Sequence, residues 1–307
     1  MEAYVHGVST RSVDDLVAAL GVDSGVSISE VSRICADPDR EIDAFRNRTL
    51  THTQFPYVFC DATFCKVRIG AHVVSQALVV ATGVSAEGTR EVLGTAVGDS
   101  ESFEFWREFL ASLKARGLSG VHLVISDDHA GLKAAVAQQL SGSSWQRCRV
   151  HFMRNLHGAV SAKHAPAVTA AVKTIFAHTD PEEVAAQWDR VADTLADSFP
   201  KVAAMMGEAK TDVLAFTAFP GAHWQKIWSN NPIERLNKEI KRRADVVEIF
   251  PNPAAFLRLA TAVVIEAHDE WQVTRRYLSD ISMAELRKVI AAKQNAAQPV
   301  AEQLQIA

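Results

Sequence analysis

Apolar residues recur at helical spacing at Val13, Leu16, Val17 and Leu20, and Gly21 ends that run. Ser27-x-x-Glu30 then reads as a capping box opening a second helix, with Ile28, Val31 and Ile34 inward. Two short helices with a tight connection fit a helix-turn-helix over residues 1–50, although any two-helix core has the same pattern. From residue 55 the period changes. FPYVFCDATFCKVRI and HVVSQALVVATGV are β-rich runs separated by Gly70-Ala71, which predicts a hairpin, and a third strand is expected near 90–97. Phe105, Phe109, Leu110 and Leu113 mark an amphipathic helix over 101–116 that Gly117 ends, and VHLVIS at 121–126 is short and almost wholly apolar, as in a strand buried on both faces. A helix follows over about 130–140, and SWQRCRV reads as another strand. Three strands, helix, strand, helix is an α/β plan with a mixed sheet.

Between 152 and 223 the chain is Ala-rich and helical with no strand signal, which predicts an all-helical insertion. Further helices are expected from Asn231-Pro232 and over about 253–267, and the last residues, AAKQNAAQPVAEQLQIA, read as a frayed, flexible tail. The expected organisation is a helical segment 1–50, an α/β core in two parts at 55–150 and 224–272 flanking the insertion 152–223, and a C-terminal helix and tail over 273–307.

With 307 residues, 48% of them hydrophobic and 22% charged, the chain can bury a sizeable core. It shows neither a secretory signal nor an apolar run near the roughly 18 residues of a membrane span, so a cytoplasmic, nucleoid-associated protein with no membrane partner is expected. Cys35, Cys60, Cys65 and Cys148 include no C-x-x-C pair, which argues against a disulfide framework or a four-thiolate zinc site. The net charge of −4 speaks against nucleic acid, but its distribution is uneven. Residues 147–173 hold 5 cations (Arg147, Arg149, Arg154, Lys163, Lys173) and no anion, and RLNKEIKRR at 235–243 holds 5 cations against one Glu. These patches suit phosphate contact; a solvated helix face is the plainer alternative.

Three acidic positions stand out. Asp61 sits inside the first apolar strand, where an aspartate needs a basic partner such as Lys66 or Arg68, a wet cleft or a metal ion. Asp127 and Asp128 follow a buried strand and precede a helix, so one of them is expected to cap it, yet sites also form at that end of a strand. Glu234 follows Asn231-Pro232 and completes a capping-box pattern, but its helix continues into Arg235, Lys238, Lys241 and Arg242. Cys148 and His151 supply only two zinc-type ligands, fewer than a structural site needs. His129 either approaches a phosphate or caps its own turn. Trp224 and Trp228, four apart, read first as core packing and second as a base-stacking pair.

Taken together, FCDATFxKVR around Asp61, SDxHxGLKAA from Ser126 to Ala135, C-x-x-H from Cys148 to His151 and NxxERLNKEIKRR from Asn231 to Arg243 resemble the DDE transposases of the mutator superfamily, bacterial insertion-sequence type. The opening YVHGVSTRSVDDLV, the FPNP stretch and the surroundings of Trp271 resemble it too. The resemblance implies an RNase H-like mixed sheet with a helical insertion before the last catalytic acid. It implies Asp61, Asp127 and Glu234 as catalytic and metal-binding triad, with Asp127 rather than Asp128 because the pattern places the acid directly after Ser126. Two Mg²⁺ or Mn²⁺ ions about 3.5–4 Å apart are expected as cofactors for in-line displacement at phosphorus. His129, Cys148 and His151 would line the site, and Arg149, Arg154, Arg235, Lys238, Lys241, Arg242 and Arg243 would contact DNA. Double-stranded DNA, as element ends and target, is the expected partner, with no small-molecule substrate and with a homo-oligomer to hold two ends. Family members carry a further DNA-binding region ahead of the YVHGVSTR-like segment, and here Met1 nearly coincides with that segment. A shortened copy, acting as a catalytically silent DNA-binding repressor, is therefore the alternative to an active transposase. A nuclease without strand transfer is a third.

Overall fold

The computed structural model describes residues 39–305, with side chains to residue 295. The two helices expected between Val13 and Ile34 lie outside the described residues. After a helical stretch at 39–47, the chain forms β1 (Tyr57–Ile69), β2 (His72–Val84), β3 (Arg90–Gly98), α1 (Phe103–Ala115), β4 (Leu123–Ser126), α2 (Ala130–Gln139) and β5 (Ser144–Arg147). β1 and β2 form the expected hairpin, closed by Ile69 opposite His72, and Gly70 takes φ 59° in its turn, a conformation glycine adopts without a Cβ penalty. The sheet order is β3-β2-β1-β4-β5. The first three strands are antiparallel neighbours, whereas β4 runs parallel to both β1 and β5.

The apolar run at 55–60 is continuous because the sheet is covered on both sides. Tyr57 and Phe59 enter one core with Leu123 and Ile125; Val58 and Cys60 enter the other with Val124, Trp106, Phe109 and Leu132. Each such buried side chain contributes on the order of 1.5–3 kcal/mol. Alternation along a strand therefore sends Asp61, two positions after Phe59, toward the first core.

Four helices follow: α3 (Arg149–Gly158), α4 (Ala165–Ile175), α5 (Pro181–Ala196) and α6 (Pro200–Val213). This block begins at Arg149, directly after β5, and it is not a separate core. Val168, Val172, Trp188 and Met206 belong to the same cluster as Tyr57 and Phe59. Short α7 (Trp224–Ile227) leads into α8 (Asn231–Val247), which packs Ile233, Leu236, Ile240 and Ala244 inward at helical spacing. The two-residue strand β6 (Ile249–Phe250) joins β1, and α9 (Pro253–Val273) closes that side. α9 runs six residues beyond the expected end at 267, since no Gly or Pro interrupts it. The C-terminal helix expected within 273–307 is α10 (Asp280–Gln305). Among the described residues, no helix is long and apolar enough to cross a membrane.

Candidate active site

Phe59 pairs with Ile125 across the parallel β1–β4 ladder. Asp61 and Asp127 each lie two residues further on, so both stand at one level of the sheet, where β4 has ended and β1 continues. β4 stops at Ser126, which leaves Asp127 in the open loop before α2. The carboxyl end of a parallel strand is where α/β sheets present side chains to a cleft. Cys148 N–H donates to the Ser126 carbonyl at 2.7 Å, which anchors the start of α3 beside β4 and brings His151, in the first turn of that helix, over the aspartates.

His151 links two of the acids. Its Nδ1 contacts Asp127 Oδ1, and its Nε2 lies 3.5 Å from Glu234 Oε1. Asp61 is held from α8 instead: Asn237, one turn after Glu234, donates to Asp61 Oδ2 at 2.8 Å. Asp61 thus pairs with neither Lys66 nor Arg68, which lie on the far half of β1. Burial pushes its carboxyl up to about 7, and the neighbouring charge of Asp127 adds in the same direction. His151 is pushed up to about 10, first by its hydrogen bond to Asp127 and then by the one to Cys148.

The capping roles open to these residues are filled by others. α2 is capped by His129, whose Nδ1 accepts from Leu132 N–H at 3.2 Å, so neither Asp127 nor Asp128 is needed there. Asp128 pairs with Arg147 at 2.9 Å. The N-cap of α8 is Asn230 with no side-chain capping bond, so Asn231 and Glu234 form no capping box. The Asn230 amide instead donates to the Cys60 carbonyl at 3.0 Å, tying α8 to β1.

The cations divide into two sets. Arg149 lies between aromatic rings, 3.7 Å from the centroid of Trp228 and 4.6 Å from that of Phe176. Arg243 is buried and paired with Glu239 and Glu266, and Arg242 is paired with Glu239. Arg154, Arg235, Lys238 and Lys241 are exposed. Arg154 also lines a polar cleft with Arg147, Asn155, Lys201 and Asp128, next to the acids. Trp224 and Trp228 both pack edge-on against Phe216 in the core.

Sequence reasoning did not single out Asn230, Asn237 or Glu101. Asn237 had a signal, standing three residues after Glu234 on one helix face. Glu101, between β3 and α1, is pushed up by burial, with His129 opposing and Asp127 adding to the shift. Nothing in its local sequence marks it.

Carboxylate oxygens from Asp61, Asp127 and Glu234 are the ligand type a hard divalent cation takes, while among the described residues the ligand atoms that fall within 4.8 Å of one another are those of Asp127, Cys148 and His151. Asp127 Oδ1 and Glu234 Oε1 are buried and face His151 alone, and Asn237 Oδ1 is buried with no hydrogen-bond partner, beside the Asp61 carboxyl that burial raises. Buried acceptors so sparsely partnered are rare in folded proteins and are what a cation would satisfy.

Residues 1–274 match the family described as "Transposase, Mutator family". The chain is 48% identical over 275 residues to the transposase for insertion sequence element IS1081 of Mycobacterium tuberculosis, covering 90% of this chain and 66% of that protein. It is 40% identical over 280 residues to the transposase for IS406 of Burkholderia multivorans, covering 91% of this chain and 72% of that protein. With the transposase for IS256 in transposon Tn4001 of Staphylococcus aureus it shares 36% identity over 282 residues, 91% of this chain and 72% of that protein. The chain thus spans just under two thirds of the length of the mycobacterial relative.

Proposed function

The chain belongs to the Mutator family of transposases, and from that premise we propose that its cleft carries out divalent-metal-dependent cleavage and strand transfer of DNA at the ends of an insertion sequence. The observation that carries the proposal is the meeting of Asp127 and Glu234 on one histidine, with Asp61 beside Asp127 on the adjacent strand. These acids come from positions far apart in the chain. The sheet order β3-β2-β1-β4-β5, with β1 and β4 central and parallel, supports an RNase H-like reading of the fold.

Asp61, Asp127 and Glu234 would hold Mg²⁺ or Mn²⁺, two ions in this reading. When bound, such ions lower the charge on the scissile phosphate and make water or a 3′-hydroxyl a competent nucleophile. The chain's own residues supply the remainder. Asn237 orients Asp61, and Asn230 pins α8 to β1 so that Glu234 faces the strand ends. Arg147, Arg154 and Lys201 line the adjoining cleft and suit the DNA backbone, as do the exposed Arg235, Lys238 and Lys241. Arg149 and Arg243 are engaged within the protein, whereas Arg242 is exposed and pairs with Glu239 at the surface. Double-stranded DNA is the proposed partner. Joining two ends to one target calls for at least two copies of the chain.

The test is incubation of the protein with Mg²⁺ or Mn²⁺ and a duplex bearing the terminal inverted repeats of its element. Wild type is expected to nick and join the ends, and Asp127→Asn to do neither. Identical product patterns from the two would overturn the proposal. Salt-sensitive binding without cleavage by wild type would favour a silent DNA-binding repressor instead.

A further inference from the structure

Cys148 is not used by the phosphoryl-transfer reading, yet its sulfur lies at the floor of the same cleft. One ligand atom each from Asp127, Cys148 and His151 falls within 4.8 Å of the other two. A tetrahedral zinc centre with bonds of about 2.0–2.3 Å places its ligand atoms roughly 3.3–3.8 Å apart, so shifts of about an ångström or less close the set. We propose that Asp127, Cys148 and His151 form a seat for a soft divalent cation, Zn²⁺ being the natural occupant, distinct in chemistry from the all-oxygen set of Asp61, Asp127 and Glu234.

Four features support it besides proximity. Cys148 is the N-cap of α3 but makes no side-chain capping bond, so its sulfur is not committed to the helix. Asn230 N–H donates to that sulfur at 3.3 Å, a contact that would also support a metal-bound thiolate. Asp127 Oδ1 and His151 Nδ1 are both buried and face one another, each with no other partner for that atom among the described residues. Finally, with Nδ1 on the metal, His151 Nε2 faces Glu234 Oε1 at 3.5 Å, the carboxylate–histidine–metal arrangement in which an outer acid fixes the ring. Three protein ligands leave one position for water, and the mixed N, O and S donors select Zn²⁺ or Cd²⁺ over Mg²⁺.

A consequence rests on the catalytic reading above. Asp127 cannot serve both seats, and a soft ion that draws Asp127 and His151 toward Cys148 takes one acid from the hard-cation set. Zn²⁺ would then hold the protein inactive until it is removed, and a chelator would restore cleavage.

Cd²⁺ alone is the probe, because a cadmium–thiolate bond absorbs in the ultraviolet and is read without any activity. Titration of the full chain with Cd²⁺ is expected to raise that band to saturation near one equivalent. Cys148→Ser should remove the saturating band, and Asp127→Asn and His151→Ala should each weaken binding at least tenfold. Asp61→Asn should leave it unchanged. Cys148→Ser keeps the size of the side chain, and a thermal melt matching wild type confirms that it folds. If it does not fold, His151→Gln and Asp127→Asn carry the test. A band that survives Cys148→Ser, reporting on the other cysteines, overturns the proposal, as does the absence of any saturating band in wild type. A cysteine-dependent band in a protein that cleaves no DNA with Mg²⁺ would sink the catalytic reading and leave the soft-metal seat standing.

Discussion

The helical block α3–α6 and the cleft at the end of β4 lie side by side in one core but treat polar groups in opposite ways. In the block, Trp188 Nε1 donates to the Met206 carbonyl at 3.1 Å, Asp180 caps α5 through Glu182 and Glu183 N–H, and Lys210 pairs with Asp189. Beyond the first turn of α3, whose His151 belongs to the cleft, no buried side-chain polar atom of the block lacks a partner, whereas Asn230 and Asn237 each have one that does and the buried atoms of Asp127, His151 and Glu234 have only one another. Leaving a buried polar atom unpaired costs about 1–3 kcal/mol. The block is therefore built for stability, and the cleft gives up stability to keep its donors available.

Substitutions should separate the two regions. The largest effect belongs to the acids. Asp61→Ala, Asp127→Ala and Glu234→Gln should each lower DNA cleavage by at least roughly 10³-fold, as when one preorganised group is removed from a transition-state site, with no loss of thermal stability in metal-free buffer. A fall in melting temperature that matches the loss of activity would make these residues structural and erase the contrast. In the block, Trp188→Ala should destabilise the fold by about 3–5 kcal/mol through a cavity between α5 and α6, while cleavage per folded molecule stays close to wild type.

The pH dependence of stability sharpens the point. Asp61 titrates near 7 in the folded chain against a reference of 3.8. The folded state thus binds its proton more tightly, and this contribution to stability is complete below about pH 4 and is lost as pH rises through about 7. Metal-free Asp61→Asn, neutral at every pH, should melt on the order of 5 °C above wild type at pH 8 and level with it at pH 4. Equal melting at pH 8 would mean that the carboxyl is not crowded by burial and Asp127.

The smallest contrast is between Arg149 and Arg154, both in α3. Arg149→Ala should cost about 1–2 kcal/mol of stability by emptying the space between Phe176 and Trp228 and leave the salt dependence of DNA binding unchanged. Arg154→Ala should leave stability alone and reduce the slope of log affinity against log salt by about 0.9. Denaturant melts and a binding series over salt read the two effects separately.

These regions also differ in how far the sequence disclosed them. Strand periodicity located β1 to β4 and the hairpin turn, because alternation and glycine report local geometry directly. Asp61 was conspicuous as an acid in an apolar strand. Of the partners of the acids, His151 was reached only through the resemblance of its C-x-x-H motif and Asn237 not at all, since both meet Asp127 and Asp61 through tertiary packing. The same reason explains Arg149 and Arg243: a cation's sequence neighbours do not show whether it faces solvent or an aromatic ring. Of the two readings open to His129, a phosphate contact or a cap on its own turn, the structure shows the cap, although Asp127 and Asp128 are both better capping residues: the loop geometry, not propensity, made the choice.

The account rests on Asp61, Asp127 and Glu234 forming one cation seat, and Mn²⁺ binding followed by its electron paramagnetic resonance signal tests that most directly. At pH 8, wild type and Asp128→Asn, which loses only the contact to Arg147, should bind Mn²⁺ with the same affinity. Asp61→Asn, Asp127→Asn and Glu234→Gln should each bind at least roughly tenfold more weakly. Equal Mn²⁺ affinity in all five proteins would contradict the account.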